Sequence, residues 1–214
     1  MKTFDLTQII QENMPVYPGT PPPLLKTACS VEKAGYKETV ITMYSHTGTH
    51  MDAPAHLLSG GRSLDRLPAE RFWGSAAVID CRMAPPGSQI GLDYLKGDLI
   101  RYEKADFLLL MTGWERYWGQ EAYNQGFPVP GRELIEFMAE SGKKGLGVDA
   151  LSVDPVEAEI LTNHRLLLGR EMVIVENLRG LAQLDAEAVI HFFALPLNFI
   201  NADGAPVRAI AITE

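Results

Sequence analysis

Apolar positions recur along this chain with two different periods, and the changes of period divide it into elements. "ETVITMYS" (Glu38 to Ser45) alternates and is rich in β-branched residues, which predicts a strand that delivers His46 at its end. "SAAVIDC" (Ser75 to Cys81) and "DFLLLMT" (Asp106 to Thr112) are short unbroken apolar runs, the pattern of buried strands. "GLGVDAL", "EMVIVENL", "AVIHFFALP" and "VRAIAIT" predict four more. Two stretches change to helical spacing. "GRELIEFMAESG" (Gly131 to Gly142) places Leu134, Ile135 and Met138 together and closes on a glycine. "DPVEAEILTNHRLLLG" opens with Asp154 as N-cap and Pro155 at the first helical position, with Ile160, Leu161 and His164 sharing a face. The Pro-rich Met14 to Pro23 can be neither helix nor central strand and predicts an ordered surface loop.

Many strands, few helices and no regular βαβ alternation indicate an α/β or α+β layered domain rather than a Rossmann sheet. With no internal repeat and no low-complexity linker, residues 1–214 are expected to form one domain.

Composition narrows the partners. The net charge of -8 argues against nucleic acid or an anionic membrane surface. No apolar stretch approaches the roughly 18 residues of a membrane span, and "MKTFDLTQIIQEN" has acidic residues where a signal peptide carries its apolar core. A cytoplasmic protein acting on a small molecule is expected. Cys29 and Cys81 are too few and too isolated for a disulfide framework or a thiolate zinc site, and are expected to be reduced and packed.

Chemistry concentrates in "SHTGTHMDAPAH", which holds three of the chain's five histidines. The pattern is His46-x3-His50-x-Asp52-x3-His56, and imidazole with carboxylate is a donor set that zinc, manganese and related ions accept. The intervening "TGT" is a poor helix former and Pro54 follows, so a strand end passing into a loop is expected. Gly48 would let the backbone bend so that several side chains converge. No Glu follows the first His, which excludes the helical zinc-protease arrangement. Downstream, His164 on the second helix and Glu176 at a strand end could return two further ligands to the same place.

These residues resemble the metal-dependent cyclase-like hydrolases that include bacterial kynurenine formamidase. "HTGTHMDAPAH" fits a signature similar to H-x-G-T-H-x-D-x-P-x-H, and "VDALSVDP", the His164 to Glu176 spacing, "ENLRGL" and "ADGAPVRAIAI" follow in order. The resemblance implies an α/β fold, a single layered β/β/α domain of the swivelling type, assembled as a homodimer or homotetramer. It implies that His46, His50 and Asp52 hold a first metal and that Asp52 bridges to a second completed by His164 and Glu176. It further implies two divalent ions per chain, zinc ahead of manganese, with His56 as catalytic acid/base rather than ligand. Kynurenine formamidases carry a Trp beside "PG" in the N-terminal loop that packs on the aromatic substrate. Here "PVYPG" offers Tyr17, which can still stack on a ring.

The expected activity is metal-dependent hydrolysis of a small amide, such as an N-formyl arylamine of the N-formylkynurenine kind. Opening of a lactone or cyclic imide, or a cyclisation, is the alternative within the same class. A non-catalytic metal-binding domain is the alternative outside it. The "G-x-S-x-G" elbow of serine hydrolases is absent. Outside the cluster, His191 reads as a core or interface histidine, Asp149 as a strand-end carboxylate that could support a metal-bound His but is not counted in the site, Asp154 as a helix cap, Trp114 and Trp118 as packing on a helix, and Arg62 as a solvated charge.

Overall fold

On the central strands, successive apolar side chains point to opposite sides and enter two separate cores. The computed structural model describes residues 1–97, 99–188 and 190–213. From the N-terminus the elements are β1 (Lys2–Asp5), β2 (Leu24–Cys29), α1 (Val31–Ala34), β3 (Glu38–Thr42), β4 (His50–Asp52) and β5 (Trp73–Asp80). β6 (Gln89–Ile90), α2 (Leu99–Lys104), β7 (Phe107–Met111), β8 (Val129–Pro130), α3 (Arg132–Glu140) and β9 (Gly145–Val148) follow. The chain ends with α4 (Thr162–Leu168), β10 (Val173–Glu176), β11 (Ile190–Pro196) and β12 (Gly204–Thr213).

Eight strands form one sheet in the order β1-β12-β11-β5-β7-β9-β10-β4, and β4 also pairs with β12, so the sheet curls back on itself. The centre, β5-β7-β9-β10, is parallel, and the remaining pairings are antiparallel. Phe107, Leu109, Val78, Val173 and Val175 fill the inside of the curl with Met51 and Phe192. Leu108, Leu110, Ile79, Leu146, Val148 and Ile174 face the other way, against α3 and α4 through Leu134, Ile135, Met138, Leu167 and Leu168. The fold is therefore the layered, sheet-dominated α/β arrangement expected. No helix among the described residues is long and apolar enough to cross a membrane.

Several expectations need correction. The Glu38 to Ser45 strand stops at Thr42 and belongs to a separate two-stranded ribbon with β2 rather than to the main sheet. β3 is exposed along its whole length, because its alternation is matched by no covering layer. Residues 155–161 form turns, and the second helix begins at Thr162, not at Pro155. Its start is pinned from outside: Asn163 Nδ2 donates to the carbonyls of Pro130 and Val153, 2.9 Å each. Cys81 is buried as expected, whereas Cys29 lies half-buried on the ribbon. His191 is exposed on β11 and is not a core residue of this chain. Trp114 is buried as packing, but on a short 3-10 turn rather than an α-helix. Arg62 pairs with Glu171 at 2.7 Å on the surface.

Candidate metal centre

β4 is a three-residue strand of its own, buried throughout and paired on both sides, with β10 and with β12. Because a strand has period two, His50 and Asp52 share one face while Met51 enters the inner core. Glu176 of β10 lies directly opposite His50 in the antiparallel register, so its side chain emerges on that same face. Gly48, at φ 68, turns the chain into the strand through a left-handed conformation that a glycine adopts freely. His56 ends a 3-10 turn opened by Pro54. His164 comes from α4, on the far side of the site.

These residues converge. His46 Nδ1 lies 2.7 Å from Asp52 Oδ1, and His50 Nε2 lies 3.3 Å from the same oxygen and 3.5 Å from Glu176 Oε2. His164 Nε2 lies 3.3 Å from Glu176 Oε1 and 3.5 Å from Asp52 Oδ2. Two donor groups, His46–His50–Asp52 and Asp52–His164–Glu176, each bring one donor atom per residue within 4.8 Å of one another.

The protonation pattern tests whether a cation fits. His50 Nδ1 donates to the Gly48 carbonyl at 2.9 Å, and His164 Nδ1 donates to Asp154 Oδ2 at 2.8 Å. Each ring therefore presents its Nε2 to the carboxylates of Asp52 and Glu176, where only a proton or a cation makes the approach favourable. Among the described residues Asp52 Oδ2 is buried with no hydrogen-bond partner nearer than the His164 Nε2 at 3.5 Å, a costly state for an ionised oxygen that a bound cation relieves. The donor set fits a divalent ion.

With protons in that role, burial works against charging His46, but Asp52 and Asp203 together outweigh it and lift its pKa to about 9. Burial likewise opposes charge on His164, and Asp154, Asp52 and Glu176 raise it well above the ordinary histidine value. Burial would raise Asp52, yet His46, His164 and His50 hold it well below the usual carboxylate range. His56 behaves differently: burial lowers its pKa, and the pull of Asp52 does not compensate.

A cavity of about 350 Å³ opens above this floor, walled by Val16, Tyr17, Tyr44, Leu151 and Leu161. Tyr17, from the Pro-rich loop, sits on that wall with its hydroxyl 3.3 Å from the Val156 carbonyl. The structure thus brings together all seven residues singled out in the sequence. Two carboxylates escaped that reading. Asp203, just before β12, places Oδ2 3.1 Å from His46 Nε2 and 4.0 Å from His56 Nδ1. Together with His46 and His56 it forms a third group with donor spacing, so geometry alone gives His56 a ligand's surroundings as well as a catalyst's. Asp154 both accepts from the backbone N–H groups of Asn163 and His164 and orients the His164 ring. The supporting role that the sequence leaves open to Asp149 belongs to Asp154. Asp149 instead accepts from Thr112 and Gly113 at the end of β7, where burial pushes its pKa to about 6 against those hydrogen bonds.

A curled sheet carrying a buried His–carboxylate floor beneath an apolar pocket is an arrangement suited to hydrolysis. The chain belongs to the family described as "Putative cyclase", whose model matches residues 4–155. A kynurenine formamidase of Bacillus cereus is 32% identical over 216 residues, covering 98% of each chain. A second, from Erythrobacter litoralis, is 30% identical and covers 98% of this chain and 93% of the relative. Isatin hydrolase A from Labrenzia aggregata, solved bound to benzyl benzoate, superposes with a TM-score of 0.87 at 28% identity, over 100% of this chain and 94% of that one. A potential metal-dependent hydrolase with cyclase activity gives 0.74 at 27% identity, over 98% of both chains. These relationships make the chain a hydrolase of C–N bonds other than peptide bonds.

Proposed function

We propose that this protein hydrolyses a small aryl amide, an N-formyl arylamine of the N-formylkynurenine type, in the cytoplasm. The observation that carries the reading is the floor of the pocket, where two imidazole Nε2 atoms face two buried carboxylates. His46, His50 and Asp52 would hold one divalent ion and Asp52, His164 and Glu176 a second, with zinc ahead of manganese. When bound, such ions supply the Lewis acidity that lets water attack an amide near neutral pH.

The chain's own groups do the rest. Tyr17 and Tyr44, with Val16, Leu151 and Leu161, receive the ring and keep bulk water from it. His56, kept neutral at pH 7 by its burial, accepts the proton released as water attacks the formyl carbon. It then delivers that proton to the departing nitrogen, so that amide and water leave as arylamine and formic acid. Asp203, beside His56 Nδ1, steadies the imidazole while it is charged.

Kynurenine formamidases among the relatives favour the open-chain formamide, and isatin hydrolases among the structural neighbours favour a second reading, opening of a fused-ring lactam. Parallel assays of zinc-loaded protein on a formanilide, an isatin and an aryl lactone separate the two. Turnover of none of them, at full metal occupancy, would defeat both. Tyr17→Ala is expected to raise KM for aryl amides more than for aliphatic ones, and an equal effect on both would remove that loop from the substrate.

We also propose a homodimer, or a tetramer built from it. Its support is the β2–β3 ribbon, on which Leu24, Val40 and Ile41 are all more than half exposed, since a free two-stranded hairpin is marginal in water.

A further inference from the structure

Asn177, directly after the candidate ligand Glu176, is buried in a left-handed backbone conformation with φ 59. A non-glycine residue is held in such a place only when its surroundings repay a cost on the order of 1 kcal/mol or more. Here the whole amide is engaged. Its Oδ1 accepts from the Tyr123 hydroxyl at 2.7 Å, and its Nδ2 donates to the Gly48 carbonyl at 2.9 Å. That carbonyl is the one to which His50 Nδ1 donates. The backbone of Asn177 is fixed as well, its N–H on Ala150 and its carbonyl accepting from Thr49 Oγ1 at 2.7 Å.

Tyr123 is fully buried, packs edge-on against Trp118 and accepts at its own carbonyl from Trp114 Nε1. The Trp114 N–H in turn donates to Thr112 Oγ1, and Thr112 is tied to Asp149. Hydrogen bonds made by different groups of Trp114 and Tyr123 therefore tie the end of β7, residue by residue, to Asn177 and the Gly48 carbonyl that His50 meets. We infer that Tyr123 and Asn177 are positioning residues that fix the Gly48 carbonyl and through it hold the His50 ring with its Nδ1–H on that carbonyl and its Nε2 aimed at Asp52 and Glu176. The consequence for metal binding rests on the reading of His50 as a ligand; the orientation of the ring does not.

Histidine-labelled protein examined by 15N NMR in the metal-free state tests the hydrogen bond from Nδ1 to Gly48, with His50 assigned by comparison with His50→Gln. Wild type is expected to give the Nδ1–H signature. Asn177→Gly keeps the left-handed backbone while deleting the amide, and Asn177→Asp keeps the volume but cannot donate to Gly48. Both are expected to loosen that bond and shift the Nδ1 resonance, and Tyr123→Phe, which keeps the ring packing, to do so in part. Zinc affinity by chelator competition should fall about 10–100-fold in both Asn177 variants. An unchanged His50 Nδ1 resonance in Asn177→Gly and Tyr123→Phe overturns the inference, as does a shifted Nδ1 resonance with zinc affinity within twofold of wild type. Failure of wild type to bind zinc at all would sink the metal reading, and the NMR comparison would still decide the inference.

Discussion

The imidazole of His46 lies against the backbone of Gly204, so close that a methyl group on Gly204 would sit 2.8 Å from both ring nitrogens. Gly204 is paired opposite Asp52 at the start of β12, so the same register that brings Asp203 to the site leaves no space for a side chain beside it. Gly204→Ala must therefore move His46 away from Asp52 or shift the strand. The expected result is a metal content reduced at the His46-bearing group and kcat/KM lowered at least tenfold, on the order of the loss seen when a supporting residue is removed. Elemental analysis and kinetics check it. Unchanged metal content and activity would show that His46 is not held by this contact.

Asp154 is expected to matter more to the metal than Asp149. Asp154→Asn replaces the carboxylate that takes the His164 Nδ1 proton and weakens the cap on α4. Affinity for the ion held by His164 should fall about 10–100-fold, with a stability loss on the order of 1 kcal/mol. Asp149→Asn should lower the melting temperature while leaving metal affinity near wild type. The reverse order of effects would overturn this assignment, and chelator competition with thermal unfolding of both variants distinguishes them.

Local sequence carried a good part of this site because its chemistry is local. His50-x-Asp52 is a same-face spacing on any strand, and the helix of Leu134, Ile135 and Met138 is a one-face pattern whatever it packs against. Asp203 was not legible in that way: its value comes from β12 pairing with β4 across more than 150 positions of chain, and "ADG" reads as an ordinary turn. Asp154 misled for a related reason. A cap signal states that a carboxylate will meet helical N–H groups, not which turn will supply them, and here the groups lie nine and ten residues on. The alternation of Glu38 to Thr42 similarly predicts a strand without saying whether anything covers it.

Metal binding is expected to expel protons. Without an ion, the pKa of His46 is about 9 and that of His164 is raised, so both rings are charged at pH 7, whereas ligation requires them neutral. Zinc affinity should therefore rise with pH towards about 9, and calorimetry in buffers of different ionisation enthalpy should register proton release. The metal-free protein carries the opposite dependence. His46 is raised above its unfolded value of 6.5, so its contribution is fully present below that pH and disappears as pH rises through about 9. That contribution is no more than about 3 kcal/mol. Chelated protein whose stability is flat between pH 6.5 and 9 would contradict it.

Ligand and catalyst can be separated within one short segment. His50→Ala should lose both metal and activity, together with the stability that a bound ion adds to the native state. His56→Asn should keep metal and melting temperature and lose about 10²–10⁴-fold in kcat, most severely for amides with poor leaving groups. An activated ester, which needs no proton on its leaving group, should be partly spared. Loss of metal from His56→Asn would instead make His56 a ligand beside His46 and Asp203, the arrangement the third donor group allows.

The exposed ribbon provides the test of assembly. Among the described residues β2 and β3 pair only with each other, and Val40, Ile41 and Leu24 stand in water outside both cores. Each such side chain is a little over half exposed, so its passage from water into contact contributes about 1–1.5 kcal/mol, half the value of complete burial, and a two-fold axis counts every one of them twice. A ribbon packed against its copy therefore recovers what the isolated hairpin lacks. Changing Val40 and Ile41 together to Asp should dissociate the assembly while leaving the melting of the main sheet intact, because neither residue belongs to a core. Light scattering coupled to size exclusion reads the mass directly. A wild-type protein that elutes as a monomer, or a double variant that keeps the wild-type mass, would remove the ribbon from any interface. Tyr44, two residues beyond β3, lines the pocket, so dissociation is also expected to raise KM for aryl amides with little change in metal content.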